Sequence, residues 1–166
     1  MLSKEGIFYS PMKIITINKD IAAALSALDD EFLFNKQGRP CLLIIRLKYR
    51  NRKMNFAVPF RSNIPPAEQK ANYFPLPPRS TTKPKHRHGL HFTKMFPIDK
   101  QYTQKFNIAG NADYILFNSI ISKNSQQIVK QAQTYLDNYA NGTQTPYATN
   151  IDAMMDYLFH KEESNL

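Results

Sequence analysis

The chain of 166 residues has one cysteine, no tryptophan, five glycines and no long apolar run. A single cysteine, Cys41, excludes an intramolecular disulfide framework, and its apolar neighbours indicate a buried structural thiol rather than a nucleophile. Without a membrane-spanning run or an uninterrupted signal-peptide core, we expect a cytoplasmic protein that has no membrane partner. The hydrophobic fraction of 42% is sufficient for a core, so we expect one domain over residues 1–166.

Acidic residues are scarce in the middle of the chain. From Lys36 to Lys94 there are fourteen Lys or Arg residues and one acid, Glu68, whereas the rest of the chain is net negative. A concentrated basic region attracts polyanions and predicts nucleic acid as the partner. One carboxylate is too few for a magnesium nuclease, and zinc is disfavoured because there is no second cysteine. We therefore expect no metal and no cofactor.

The periodicity predicts strands first and helices afterwards, which indicates an α+β fold with an antiparallel sheet. Asn18 is expected to cap the first helix, residues 50–53 to form a cationic hairpin turn, and the acids at 29–31 to be a solvated helix end. The proline-rich segment 73–85 is predicted to be an extended loop. The predicted strands are 13–18, 41–49, 54–60 and 90–98, and the predicted helices are 19–28, 112–121, 125–139 and 151–160.

Three short segments carry candidate chemistry. The first is Gly38-Arg39-Pro40, the second is the strand ending Pro59-Phe60-Arg61-Ser62-Asn63-Ile64, and the third is Gly89-Leu90-His91-Phe92-Thr93-Lys94. Guanidinium groups can offer paired donors to phosphate oxygens, and a hydroxyl can bond a non-bridging oxygen or orient an attacking hydroxyl. The alternatives are that the arginines only anchor phosphate, that Ser62 only caps a turn, and that Lys94 is a backbone contact.

In their order along residues 13–160, these segments resemble the endoribonuclease toxins of type III toxin–antitoxin systems. The resemblance also includes three other parts of the chain: the opening Lys13-Ile14-Ile15-Thr16-Ile17, the helix to Asp29-Asp30 and the closing helices. The chain is most similar to the TenpN-like branch, whose relatives include ToxN, CptN and AbiQ. The resemblance implies a compact, twisted antiparallel sheet or barrel related to MazF and Kid, with surrounding helices that are mostly C-terminal.

The same resemblance implies a metal-independent endoribonuclease. Such an enzyme cleaves RNA by attack of the 2′-hydroxyl and leaves a 2′,3′-cyclic phosphate. The implied partners are cellular or phage RNA substrates and a small antitoxin RNA, a structured repeat of pseudoknot type. The toxin would process this RNA and assemble with it into a hetero-oligomer.

The residues implied to be catalytic are Arg39, Arg61, Ser62 and Lys94. Ser62 matches the serine after the proline-containing strand, and Arg61 stands where ToxN often has threonine. Arg39 matches a ToxN lysine, whereas a further ToxN lysine falls on Ile64. Lys94 is the candidate for that missing cation.

A wider set of cationic, polar and aromatic residues is predicted to bind RNA. Tyr73 and Phe74 are expected to stack on unpaired bases, and Thr93 to turn its hydroxyl toward RNA. Histidines beside cations could transfer protons, but we expect them to face RNA or solvent. The full set is Lys36, Arg46, Lys48, Arg50, Arg52, Lys53, Asn63, Tyr73, Phe74, Arg79, Lys83, Lys85, His86, Arg87, His88, His91 and Thr93.

The alternative function is a non-catalytic, basic RNA-binding regulator that uses the same cationic surface. Such a protein would bind RNA with steep salt dependence and leave it intact. A structural or phage-encoded assembly protein is a third possibility.

Overall fold

The computed structural model describes residues 12–33, 39–143 and 145–164. Within these ranges the chain is α+β, as predicted, with a seven-stranded sheet, in which every pairing is antiparallel, and four α-helices. The strands are β1 (Met12–Ile17), β2 (Cys41–Tyr49), β3 (Arg52–Ile64), β4 (Tyr73–Leu76), β5 (Arg87–His91), β6 (Phe96–Pro97) and β7 (Thr103–Lys105). The helices are α1 (Lys19–Leu28), α2 (Ala112–Lys123), α3 (Ser125–Ala140) and α4 (Ile151–Ser164).

The strand order is β4-β5-β3-β2-β1-β7, and β6 also pairs with β3. β2 and β3 form the central hairpin, whose turn residues Arg50 and Asn51 both have positive φ, of 46° and 66°. Two left-handed residues give a turn whose twist suits a tight hairpin. The predicted cationic turn is thus confirmed, but β3 extends to Ile64 and carries Arg61 and Ser62 inside the sheet.

Asn18 caps α1 as predicted. Its Oδ1 accepts hydrogen bonds from the backbone N–H groups of Asp20 at 2.8 Å and Ile21 at 3.1 Å. At the other end of α1, the prediction of a freely solvated acidic triplet is wrong. Asp29 accepts from the backbone N–H of Asn150 at 2.7 Å, and Glu31 pairs with Lys94.

Two predictions about the sheet are corrected. Tyr73–Leu76 is not a loop but an edge strand, because Pro75 can be accommodated where one side of the strand needs no ladder hydrogen bond. The predicted strand 90–98 is divided: β5 ends at His91, a 3₁₀ turn covers Phe92–Lys94, and β6 follows. This turn takes Thr93 and Lys94 out of the sheet.

The sheet is buried on both faces, because alternate residues of each central strand enter different apolar clusters. Leu42, Ile44 and Phe60 pack with α2 and α3, whereas Cys41 and Leu43 pack with α1. Cys41 is fully buried, which confirms its structural role. None of the described helices is long and apolar enough to cross a membrane.

Candidate active site

Four polar side chains from β3, β5 and two turns are joined by hydrogen bonds, and we call them the Arg61 cluster: Arg61, Glu68, His91 and Thr93. A guanidinium nitrogen of Arg61 lies 3.3 Å from Nδ1 of His91. Nε2 of His91 lies 3.2 Å from Oε1 of Glu68, which also accepts from the Thr93 hydroxyl at 2.6 Å. His91 is 2% exposed and Thr93 is 1% exposed, so the network lies beneath the surface, with the half-buried Arg61 at one end.

The hydrogen bonds of His91 fix its tautomer. A guanidinium has donors but no acceptor, so Nδ1 of His91 must accept from Arg61. The proton of the neutral ring is then on Nε2, which donates to Glu68. Burial lowers the pKa of His91, the positive charges of Arg61 and Lys94 lower it further, and Glu68 offsets only part of this. The ring is therefore neutral near pH 7, with its basic lone pair directed at Arg61.

Glu68 and Arg61 keep opposite charges in this cluster. Burial by itself would raise the pKa of Glu68, but the hydrogen bonds from His91 and Thr93 bring it below its usual value. Burial lowers the pKa of Arg61, and the nearby charge of Arg39 adds to this effect. Like charges on two neighbouring guanidinium groups repel, and an anion that both groups can bind relieves this repulsion.

Arg39 acts on the cluster through its charge, and Ser62 is the residue that follows Arg61 in the chain. Arg39 precedes β2 and lies close enough to Arg61 for its charge to lower the pKa of Arg61. Ser62 follows Arg61 on β3 and is partly buried. The ladder between β3 and β5 shifts register between Arg61 and Ile64, so Ser62 lies at an irregularity of the sheet.

Lys94 is placed differently from the prediction of a strand cation that faces RNA. It is 4% exposed, and its Nζ donates to Oε1 of Glu31 at 2.7 Å and to the carbonyl of Tyr147 at 2.6 Å. Its ammonium therefore holds the end of α1 and the 145–149 segment together. Its charge still acts on His91 from close by.

The predicted hairpin cations lie at the other end of the β2–β3 ladder. Cys41 pairs with Pro59 near the Arg61 cluster and Tyr49 pairs with Arg52 at the tip, so the two ends are roughly 25 Å apart at about 3.3 Å per residue. We call this second basic surface the hairpin patch. Its five members, all exposed, are Arg46, Lys48, Arg50, Arg52 and Lys53.

Two arginines of the hairpin patch already have partners. Arg50 donates to both oxygens of Asp152, at 2.9 and 3.1 Å, and Arg52 lies over the ring of Phe159 at 4.0 Å. The sequence analysis did not anticipate these contacts with α4. The patch therefore combines surface lysines with arginines that are held against the helix.

The predicted RNA-binding loop before β5 is partly structural. Asn63 uses both ends of its amide on this loop, since it donates to the Thr81 carbonyl at 3.1 Å and accepts from the Lys83 N–H at 2.7 Å. Arg79 lies 3.6 Å from Asp113 and over the ring of Tyr114. Lys83, Lys85 and Arg87 are exposed, and His86 is partly exposed. Lys36 lies outside the described residues.

Several residues predicted to face RNA are buried instead, and those predictions are wrong. Tyr73 and Phe74 are 8% and 6% exposed, because they belong to edge strand β4 and pack inward. His88 is 2% exposed, with Nδ1 donating to the Pro77 carbonyl at 2.8 Å and its ring 4.8 Å from that of Phe117. His91 and Thr93 are covered and bond Glu68, and Nδ1 of His91 can meet RNA only when Arg61 moves off it.

Two acidic residues of the site were missed by the sequence analysis. Glu68 holds His91 and Thr93, and Glu31 holds Lys94. One signal was present: Glu68 is the single acid between Lys36 and Lys94, a position where a carboxylate needs a specific partner. Glu31 gave no such signal, since it follows two other acids at a helix end.

The buried histidines predict that stability depends on pH. Burial lowers the pKa of His88 and His91, so there is a pH range in which these rings are protonated in the unfolded chain and neutral in the folded protein. The free energy of unfolding should therefore be highest above the ordinary histidine pKa of about 6.5 and fall as the pH drops toward the lowered values.

Urea titrations from pH 7.5 to 5 measure this fall. The free energy of unfolding of the His88→Phe variant should decrease less over this range than that of wild type. A His88→Phe variant whose free energy of unfolding falls as steeply as that of wild type over this range would contradict the assignment.

No protein-family model matches the chain, and a search of the curated proteins finds no match. Solved structures do match. A protein of a bacterial type III toxin–antitoxin system, in which a non-coding RNA pseudoknot selectively inhibits the toxin, superposes with a TM-score of 0.70 and 16% identity. That alignment covers 92% of this chain and 98% of the other.

Two further structures have the same fold. One comes from a bacterial antiviral system that a processed non-coding RNA regulates, with a TM-score of 0.66, 16% identity and coverage of 87% of this chain and 95% of that one. The other is AbiQ, a lactococcal anti-phage endoribonuclease of a type III toxin–antitoxin system, with a TM-score of 0.69, 11% identity and coverage of 92% and 98%. These matches confirm the predicted ToxN-type fold.

Proposed function

We propose that this chain is a single-domain endoribonuclease toxin of a type III toxin–antitoxin system, acting in the cytoplasm on cellular or phage RNA. The observation that carries the proposal is the Arg61 cluster, in which a hydrogen-bonded carboxylate–imidazole pair ends at a guanidinium beside a second arginine. Further support comes from the fold, which is that of a type III anti-phage endoribonuclease. A non-catalytic RNA-binding protein would not need a buried, neutral histidine whose lone pair is directed at Arg61.

The proposed reaction needs no metal. Arg61 and Arg39 bind the non-bridging oxygens of one phosphodiester and stabilise the negative charge that develops there. When Arg61 turns to the phosphate, Nδ1 of His91 is free to accept the proton of the 2′-hydroxyl. The O2′–P bond forms as the P–O5′ bond breaks, and the leaving oxygen takes a proton from solvent. The products are a 2′,3′-cyclic phosphate and a 5′-hydroxyl.

Ser62, Glu68 and Lys94 also have a place in this proposal. Ser62 orients the attacking hydroxyl or bonds a phosphate oxygen. Glu68 keeps the His91 ring in the tautomer that leaves Nδ1 unprotonated. Lys94 supplies positive charge near His91 from its buried ion pair, and it does not contact RNA.

The antitoxin in this proposal is a small structured repeat RNA of pseudoknot type, which the toxin processes and with which it assembles. Because the hairpin patch lies roughly 25 Å from the cluster, a folded RNA that covers both surfaces gains contacts that a short single strand lacks. A repeat array beside the gene would identify this RNA.

The decisive experiment is RNA cleavage by the purified protein in EDTA, with the product ends identified by mass spectrometry. We expect cleavage with 2′,3′-cyclic phosphate ends. A strict requirement for Mg²⁺ would contradict the mechanism, and RNA that binds but stays intact would favour the regulator.

Ser62→Ala should slow cleavage and relieve growth arrest on expression. Ser119→Ala is the matched control, because Ser119 is exposed on α2 and takes no part in the proposed reaction. Full toxicity of Ser62→Ala would remove Ser62 from the mechanism.

A further inference from the structure

A cavity of about 380 Å³ lies beside the Arg61 cluster, which is within the range of about 300–1,000 Å³ typical of small-molecule sites. The lining comes from residues between Pro65 and Asn72, from the C-terminal half of α3, and from Thr143 and residues 145–147. The nuclease mechanism proposed above makes no use of this cavity.

The chemistry of the lining differs from that of the basic surfaces. No lysine or arginine is found among its described lining residues, and its one charge is Glu68. The lining instead presents neutral amides, hydroxyls and aromatic rings. Carboxamides carry both a donor and an acceptor, as the edges of nucleobases do, and aromatic rings stack on base faces. The groups concerned are Gln69, Asn72, Asn138, Thr145, Tyr135 and Tyr139.

Two tyrosines of the lining are in states that cost free energy in the protein without ligand. Burial raises the pKa of Tyr135, an effect that Thr145 partly offsets, yet its hydroxyl has no hydrogen-bond partner of good geometry among the described residues. Tyr147 has a φ of +63°, a conformation that is strained for a bulky side chain, and it is 75% exposed. Of the two, Tyr147 offers an exposed ring on which a ligand can stack.

The cavity and the cluster share structural elements. Glu68 lines the cavity and accepts from His91 and Thr93 in the cluster. Tyr147 lines the cavity from the other side, and its carbonyl is held by Nζ of Lys94. Glu68 thus places the cavity directly next to the cluster.

We propose that the cavity binds one unpaired nucleobase next to the cleaved phosphodiester, and that its amides set the sequence preference of cleavage. This inference rests on the proposed nuclease function. It adds a specificity site with neutral chemistry to a protein whose RNA contacts are otherwise cationic.

The first test is cleavage of an RNA library with randomised sequence, read out by sequencing the cut ends. Wild type should prefer particular bases at one position beside the cut. Asn138→Leu and Gln69→Leu should each weaken that preference about tenfold, because each removes an amide that pairs with a base edge. Gln127→Leu, an exposed amide on α3 away from the cavity, should keep the wild-type preference. Unchanged preferences at every position in both cavity variants would overturn the proposal.

The second test separates this proposal from the nuclease function. Affinity is measured for a short RNA that carries a 2′-deoxy sugar at the cut, which prevents the attack, and an abasic site is placed at each position in turn. One abasic position should weaken wild-type binding about tenfold, and the same site should weaken the Asn138→Leu variant far less. Equal binding of all abasic RNAs by wild type would refute the base pocket even in an active nuclease. A selective loss of binding, together with no cleavage of the unmodified RNA of the same sequence, would refute the nuclease and retain the pocket.

Discussion

Replacing Arg61 with alanine should slow RNA cleavage by about 10²–10³-fold, the usual effect of removing one donor that stabilises transition-state charge. The reason is its position: Arg61 is the half-buried cation of the cluster and lies 3.3 Å from the histidine proposed to take the proton. Single-turnover cleavage of a labelled RNA measures the rate. Lys105→Ala is the control, since Lys105 is an exposed cation on β7, a strand that borders no part of the cluster.

Arg61→Lys distinguishes geometry from charge. An ammonium keeps the charge but cannot present two parallel donors to a phosphate, so we expect a rate about tenfold below wild type and above that of the alanine variant. A lysine variant that cleaves at the wild-type rate would reduce Arg61 to simple charge attraction. An alanine variant that is folded and fully active would exclude Arg61 from the reaction.

Gly89→Ala should destabilise the protein by about 3 kcal/mol or more. Gly89 lies in β5 opposite Arg61 on one side and Pro75 on the other, and an added Cβ would collide with the backbone carbonyl oxygen of Phe74. Backbone atoms cannot move aside without displacing edge strand β4. Urea unfolding measures the loss of stability, and cleavage should fall as well because the strand that carries His91 shifts.

Gly110→Ala is the matched control for Gly89→Ala. A Cβ at Gly110 would meet no atom within 4 Å, but the φ of +78° makes alanine strained there, at a cost of about 1 kcal/mol. The two substitutions thus separate a steric collision from backbone strain. If both variants lost the same small amount of stability, the close approach of β4 and β5 would be contradicted.

The local elements of the fold could be predicted where the residues that define them are neighbours in sequence. Asn18 caps a helix because its side chain reaches N–H groups two and three residues ahead. The apolar run after Cys41 and the polar turn at residues 50–53 indicated the central hairpin. The strand Tyr73–Leu76 was missed because proline is rare inside strands. Pro75 is permitted here only because this strand lies at the edge of the sheet.

The candidate site was predictable only in part. Arg39 and Arg61 stand at the same end of an antiparallel hairpin, so the charge of Arg39 acts on the pKa of Arg61. The hydrogen bonds that organise the site join residues 23 to 63 positions apart, as Glu68 does with His91 and Glu31 with Lys94. Charge patterning alone does not say which acid meets which cation, so Lys94 and the histidines appeared free to face RNA.

From its amino acids alone the chain determined a basic, cysteine-poor α+β protein, because composition and short-range periodicity depend on neighbouring residues. The tertiary structure decided which of these groups meet. Packing of the 65–72 segment, the 3₁₀ turn and the chain after α3 buries His91 against Glu68 and Lys94 against Glu31. Burial then removes water from these groups, and the loss of solvation lowers the pKa of His91 and keeps its ring neutral near pH 7.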